Sequence, residues 1–157
     1  MRPPVTVSRR IALQRLAALG VAFDATLLAR GASLPGEATL PAAQWKAIQR
    51  VIDDQLRALK AGDAAKAFSF ASPGIRAQFE TPTNFIAMVR SSYDALLLAR
   101  FTEFLEGAVI DGRVIQPLRL IAPDNTVLVA LYTMEKQKDG RWKIAGCALA
   151  PSTVQAA

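Results

Sequence analysis

The hydrophobic periodicity of this chain changes once, near residue 98, and that switch limits the folds open to it. Trp45, Ile48, Ile52, Leu56 and Leu59 recur at the 3.6-residue spacing of a helix with one inward face. After residue 98 the pattern is that of strands, punctuated by Asp111-Gly112, Asp139-Gly140 and Ala122-Pro123-Asp124-Asn125. Asp-Gly between β-rich runs is a hairpin signal, because these residues accept positive φ. The turns delimit four strands, at 100–110, 113–121, 126–136 and 141–149. Short connections make them an antiparallel meander. Pro117 has no N–H to give to a ladder, so it marks an edge position or a bulge. Helices first and a meander second give an α+β domain, with N-terminal helices packed on a curved four-stranded sheet.

Between the long helix and the sheet the sequence spells out further helix starts. Lys60 and Gly62 suit the end of the first helix, and Asp63 suits the cap of a second that carries Ala67, Phe68 and Phe70. Ser72-Pro73 and Thr81-Pro82 each pair an N-cap residue with a proline at the first helical position, where no donor is missed. The short turn PGIRAQF and the longer helix PTNFIAMVRSSY follow. Spacing places Phe85, Met88, Val89 and Ser92 on the inner face of the latter.

Composition removes several chemistries. The chain has no histidine and one cysteine, Cys147. An intrachain disulfide, the Ser-His and Cys-His nucleophile pairs and most zinc or haem ligation are therefore excluded. No cofactor is implied. The net charge of +6 is front-loaded: five arginines against one aspartate in residues 1–36 supply +4 of it. The rest of the chain mixes 14 basic with 12 acidic residues, which is not the concentrated basic face of a nucleic-acid binder. No apolar run reaches the roughly 18 residues of a membrane span.

Residues 1–36 open basic and continue into an apolar stretch, the logic of an export signal. Ser8-Arg9-Arg10-Ile11-Ala12-Leu13 resembles a twin-arginine export motif, departing from it at Ala12 and Gln14. An amphipathic or disordered extension is the alternative. The expected organisation is an export segment at 1–36, a linker at 37–43, one domain at 44–150 and a disordered tail at 151–157. Export would place the protein in the periplasm, and without it the protein is cytoplasmic.

Two stretches, AFSFASPGIRAQFETPTNFIAMVRSSY (67–93) and ALYTMEKQKDGRWKIAGC (130–147), resemble the bacterial domain of unknown function 4864 family. The element order is similar to the nuclear transport factor 2-like cone, a superfamily of isomerases, dehydratases and pure binding proteins. The first resemblance implies no catalytic residue, since that family has no established mechanism. The second implies a cone-like interior where an Asp or Glu, a Tyr and often a His do the work, and this chain lacks the His.

Five residues are candidates for a ligand pocket: Arg76, Phe85, Met88, Tyr93 and Tyr132. An arginine can clamp an anion, and tyrosines offer an apolar body with a polar tip. Tyr132 shares strand parity with Leu128, Ala130 and Met134. A carboxylate buried beside it, drawn from Asp53, Asp54, Glu103, Glu106 or Glu135, would have a raised pKa and could serve as a base. Arg90 and Arg100 also fall near the junction of helices and sheet. Each of these residues has a plain structural role as its alternative. Cys147, placed by parity with Lys143 and Ala145, reads as a small buried hydrophobe. Three functions remain open: binding of an apolar or amphipathic ligand in the cone, a homodimeric interaction module, and an isomerase- or dehydratase-like enzyme using a carboxylate and a tyrosine. The dimer rests on VLVALYTM (127–134), which is apolar on both parities.

Overall fold

The computed structural model describes residues 39–152, so the export segment and most of the tail expected from the sequence lie outside the described residues. Five helices come first: α1 (Ala42–Lys60), α2 (Ala64–Ser69), α3 (Pro73–Phe79), α4 (Pro82–Ser92) and α5 (Asp94–Leu97). Five strands follow: β1 (Phe101–Phe104), β2 (Ala108–Ile110), β3 (Arg113–Ile121), β4 (Val127–Lys136) and β5 (Trp142–Pro151). The fold is α+β, with N-terminal helices on a curved antiparallel sheet. No helix among the described residues is long and apolar enough to cross a membrane.

The caps act as their residue types require. The side chains of Asp63, Ser72 and Thr81 accept from the backbone N–H groups of Lys66, Ile75 and Asn84 at 3.0, 3.4 and 3.1 Å. Each relieves one of the orphan donors at a helix start. α1 begins at Ala42, after Pro41, and stops at Gly62, whose φ of +72° is left-handed. On α4 the buried residues are Phe85, Ile86 and Val89. Met88 is half-buried and Ser92 is exposed, so the inner face is rotated toward Ile86 relative to the expected one. The reason is that α4 packs on α2 and α3, with Phe85 meeting the rings of Phe68 and Phe79 at 5.4 and 5.8 Å.

The sheet runs β1-β3-β4-β5 in space, and β2 also pairs with β3. The single strand expected at 100–110 is therefore broken. β1 pairs with residues 118–121 of β3, and β2 pairs with residues 113–115. The break lies opposite Pro117, whose carbonyl accepts from the Leu105 N–H at 3.1 Å. Gln116, fully buried, stitches it shut: its Nε2 donates to the carbonyls of Leu105 and Pro117 at 2.8 and 3.0 Å, and its Oε1 accepts from Gln49 at 3.3 Å. Within the break Gly107 lies under the Trp45 ring. A β-carbon there would stand 2.3 Å from the indole.

A second irregularity falls between β4 and β5. The register steps from Thr133↔Gly146 to Met134↔Ile144, which leaves Ala145 as an extra residue on β5. The bulge corrects the parity expected for Cys147. It shares the inner face with Trp142 and Ile144, whereas Lys143 lies opposite Glu135 on the outer face. At the same place the segment Phe70–Ser72 docks along β5. The Ile144 N–H donates to the Phe70 carbonyl at 2.9 Å, and the Ser72 N–H donates to the Ile144 carbonyl at 2.8 Å.

The main core lies between α1 and the inner face of the sheet. Ile48, Ile52 and Leu56 meet Leu118, Leu120, Ala130, Tyr132, Met134, Trp142 and Ile144. A second cluster, including Leu59, Phe68, Phe85 and Val89, binds the helices to one another. Trp142 Nε1 donates to Gln44 Oε1 at 2.9 Å and ties α1 to β5.

The close approach at Gly107 gives a stability prediction. Gly107→Ala forces the Trp45 ring to move and is expected to cost about 1–3 kcal/mol in denaturant unfolding. Thr81→Ala, which only removes a cap, is expected to cost about 0.5–2 kcal/mol. An unchanged midpoint for Gly107→Ala would show that the Trp45 packing is loose.

Candidate functional site

The inner face of the sheet carries one polar cluster that packing alone does not explain. Tyr132 projects from β4 toward α1 with 1% of its surface exposed, and its hydroxyl has no nitrogen or oxygen partner; the neighbouring polar group it interacts with is the Cys147 thiol, a weak acceptor. A buried hydroxyl left unpaired costs about 1–3 kcal/mol, and buried polar groups are satisfied in the great majority of cases. The other buried polar side chains behave in that way: Gln55 donates to the Ala67 carbonyl at 3.2 Å, Ser72 caps α3, and Gln116 is fully engaged.

Three groups surround Tyr132. Cys147 is its direct cross-strand partner on β5 and is brought inward by the bulge. Tyr93, at the junction of α4 and α5, donates its hydroxyl hydrogen to the Cys147 carbonyl at 2.6 Å. Asp53 approaches from α1 closely enough for its charge to act on the Tyr132 hydroxyl. Tyr93, Cys147 and Asp53 are each half-buried as residues, so the cluster lies toward the edge of the core.

Burial governs the ionisation of all four. It lifts the Tyr132 hydroxyl well above its ordinary 10.0, with Cys147, Tyr93 and Asp53 adding to the effect. It pushes the Tyr93 hydroxyl up to about 12, with Cys147 adding to it. It pushes the Cys147 thiol up to about 12, against a smaller downward pull from Tyr132. The Asp53 carboxyl is raised chiefly by desolvation, while Arg57 opposes and Asp54 reinforces. At neutral pH both tyrosines and the thiol are therefore uncharged. The thiol has no nucleophilic character, and Tyr132 keeps its hydrogen, with only the weak Cys147 sulfur to receive it.

The remaining candidate residues fall elsewhere. Phe85 and Met88 belong to the helix cluster, and the Arg76 guanidinium lies over the Phe68 ring, 5.5 Å from its centroid. Tyr93 packs against both clusters and is the one link between that group and Tyr132. Arg100 hydrogen-bonds to Asn125, and Arg90 lies near Gly62 at the end of α1. Of the carboxylates weighed from sequence, Asp53 is beside Tyr132, and Glu103 is paired with Arg119 on the opposite face. Cys147 was the member that sequence periodicity misplaced, because a bulge leaves no signal in a period-2 pattern. Among the described residues no three His, Cys, Asp or Glu side chains gather as a metal site. A shallow open depression at Glu135–Asp139 lies at the β4–β5 turn, away from Tyr132.

The raised values fix the alkaline limit of the fold. Ordinary values are 9.0 for the thiol and 10.0 for the tyrosines; in the fold Cys147 and Tyr93 are pushed up to about 12, and Tyr132 is raised well above its ordinary value. The unfolded chain loses these protons first. The stability they confer is present below about pH 9 and is lost as pH rises toward 12, by about 1.4 kcal/mol per pH unit for each group ionised only in the unfolded chain. Cys147→Ala and Tyr93→Phe should each flatten that decline in melts between pH 9 and 12. A decline as steep as the parent's would refute the burial of these groups.

No curated protein and no solved structure matches the chain. A family model described as Domain of unknown function (DUF4864) matches residues 41–157, which takes in every helix and strand given above and the whole Tyr132 cluster. The chain therefore belongs to the DUF4864 family.

Proposed function

We propose that this domain is a nuclear transport factor 2-like cone, exported by its N-terminal segment, that binds an apolar or amphipathic small molecule without transforming it. The observation that carries the reading is the Tyr132 hydroxyl on the inner face of the sheet, which has no oxygen or nitrogen partner and only the weak Cys147 thiol beside it. It is neutral and holds its hydrogen, so it suits a ligand with an acceptor at one end. The surroundings suit an apolar body: Ile52, Leu118, Leu120 and Ala130 share the same core. A few placed polar groups in a largely apolar setting are the usual make-up of a small-molecule site. The half-buried Tyr93, Cys147 and Asp53 mark the side from which a ligand would reach Tyr132.

A second reading, proton transfer by Asp53 and Tyr132, is favoured by the raised carboxyl of Asp53 and its effect on the Tyr132 hydroxyl. Conversion of a bound molecule that stops in Asp53→Asn would support this reading over binding alone.

The test pairs native mass spectrometry of the purified protein with titration of 8-anilinonaphthalene-1-sulfonate, an apolar dye bearing an acceptor. Tyr132→Phe removes only the unpaired hydroxyl, so its melting temperature should equal or exceed that of the parent. Its dye affinity should fall about five- to ten-fold, the worth of one hydrogen bond. A parent that retains no ligand and binds no dye would sink the proposal. So would a Tyr132→Phe variant that binds as tightly as the parent.

A further inference from the structure

The outer face of the sheet carries a different surface. Strand register lays its side chains out in rows. Phe101, Ile121 and Val127 form one row, and Glu103, Arg119, Val129 and Ala150 form the next. Pro117, Leu131 and Ala148 form a third. None of these residues belongs to either hydrophobic core described above. Val127, Val129, Leu131 and Ile121 are half-buried and Pro117 is buried, while Phe101 is 49% exposed and nearby Leu98 is 61% exposed. These are the two most exposed large apolar side chains among the described residues. The charges in the three rows are Arg119 and Glu103, which form an ion pair and stay partly exposed.

We propose that this face is the contact surface of a two-fold homodimer centred on β1 and β3. The pattern is self-complementary. Glu103 is the cross-strand partner of Arg119, and Phe101 is the cross-strand partner of Ile121. A two-fold axis lying in the plane of the face, along the strands and between β1 and β3, exchanges the members of each pair. It sets Arg119 against Glu103 of the partner subunit, and Phe101 against Ile121 of the partner subunit. Isologous contact of this kind requires a patch that complements itself, and an apolar patch with one balanced ion pair does so. Burial of Phe101 against Ile121, twice over by the symmetry, supplies the driving force, and the charge pair fixes the register. Nothing in this surface involves Tyr132, which points to the other side of β4.

Charge reversal tests the pairing directly. Glu103→Arg gives a face with two positive charges, and Arg119→Glu gives one with two negative charges. Sedimentation equilibrium at micromolar concentration should find the parent dimeric and each variant at least ten-fold weaker in self-association. An equimolar mixture of the two variants should recover a dimer, because the basic face then meets the acidic one. Circular dichroism melts verify that both variants are folded, and Ile121→Lys provides an independent way to break the contact should either fail. A monomeric parent would overturn the proposal and show that residues outside 39–152, or nothing, cover this face. Variants that dimerise like the parent, or a mixture that stays monomeric, would overturn it as well.

Discussion

The backbone of Ile144 is where the two halves of this fold are joined. Its N–H and C=O are both taken by the segment Phe70–Ser72, which runs beside β5 as a short parallel partner. A strand edge left open would need another partner for those groups. Here the partner is the turn between α2 and α3, so docking of the helices and termination of the ladder are one event. Ser72 is held at 2% exposure by this contact, and its hydroxyl then caps α3. The Ser-Pro signal thus turns the chain and also anchors it to the sheet.

The same place sets the register of everything beyond it. Ala145 is the extra residue of the bulge, and side chains on β5 change sides there. Without it, Cys147 would lie with Lys143 on the outer face, and Tyr132 would face another neighbour. With it, Trp142, Ile144, Cys147 and Leu149 all turn toward α1. Met134 and Ile144 close the core at one end, and Tyr132 with Cys147 forms its polar interior. Tyr132 itself faces inward by the parity of β4, so the bulge decides its neighbour and not its burial.

What the sequence made legible follows from how local each cause is. Caps depend on two or three adjacent residues, so Asp63, Ser72 and Thr81 could be read directly, as could the turns at Asp111-Gly112 and Asp139-Gly140, both of which use a glycine at positive φ. The face of α4 was read one position away from the truth. An eleven-residue helix has few turns from which to average, and the phase was set by α2 and α3 across the gap. The break at 105–107 and the bulge at Ala145 were not legible. Pro117 reads as an edge position or a bulge, yet β3 is a continuous interior strand, and the irregularity falls on the facing β1–β2 segment instead. The Gly107–Trp45 contact joins residues far apart in sequence, and no local pattern encodes it. The Tyr93–Cys147–Tyr132 grouping was invisible for the same reason, although both tyrosines had been singled out.

β4 then explains why an apolar strand on both parities is not simply a core strand. Its even residues Leu128, Ala130, Tyr132 and Met134 belong to the interior packed on α1. Its odd residues Val127, Val129, Leu131, Thr133 and Glu135 become more polar toward the β4–β5 turn. Their partners change in step, from Ala150 opposite Val129 and Ala148 opposite Leu131 at one end to Lys143 opposite Glu135 at the other. The outer face is thus apolar only toward the Phe101 end, which confines any sheet-to-sheet contact to β1, β3 and the first half of β4. The bulge sits at the boundary between the apolar and polar portions, so the irregularity that turns Cys147 inward also ends the apolar surface outside.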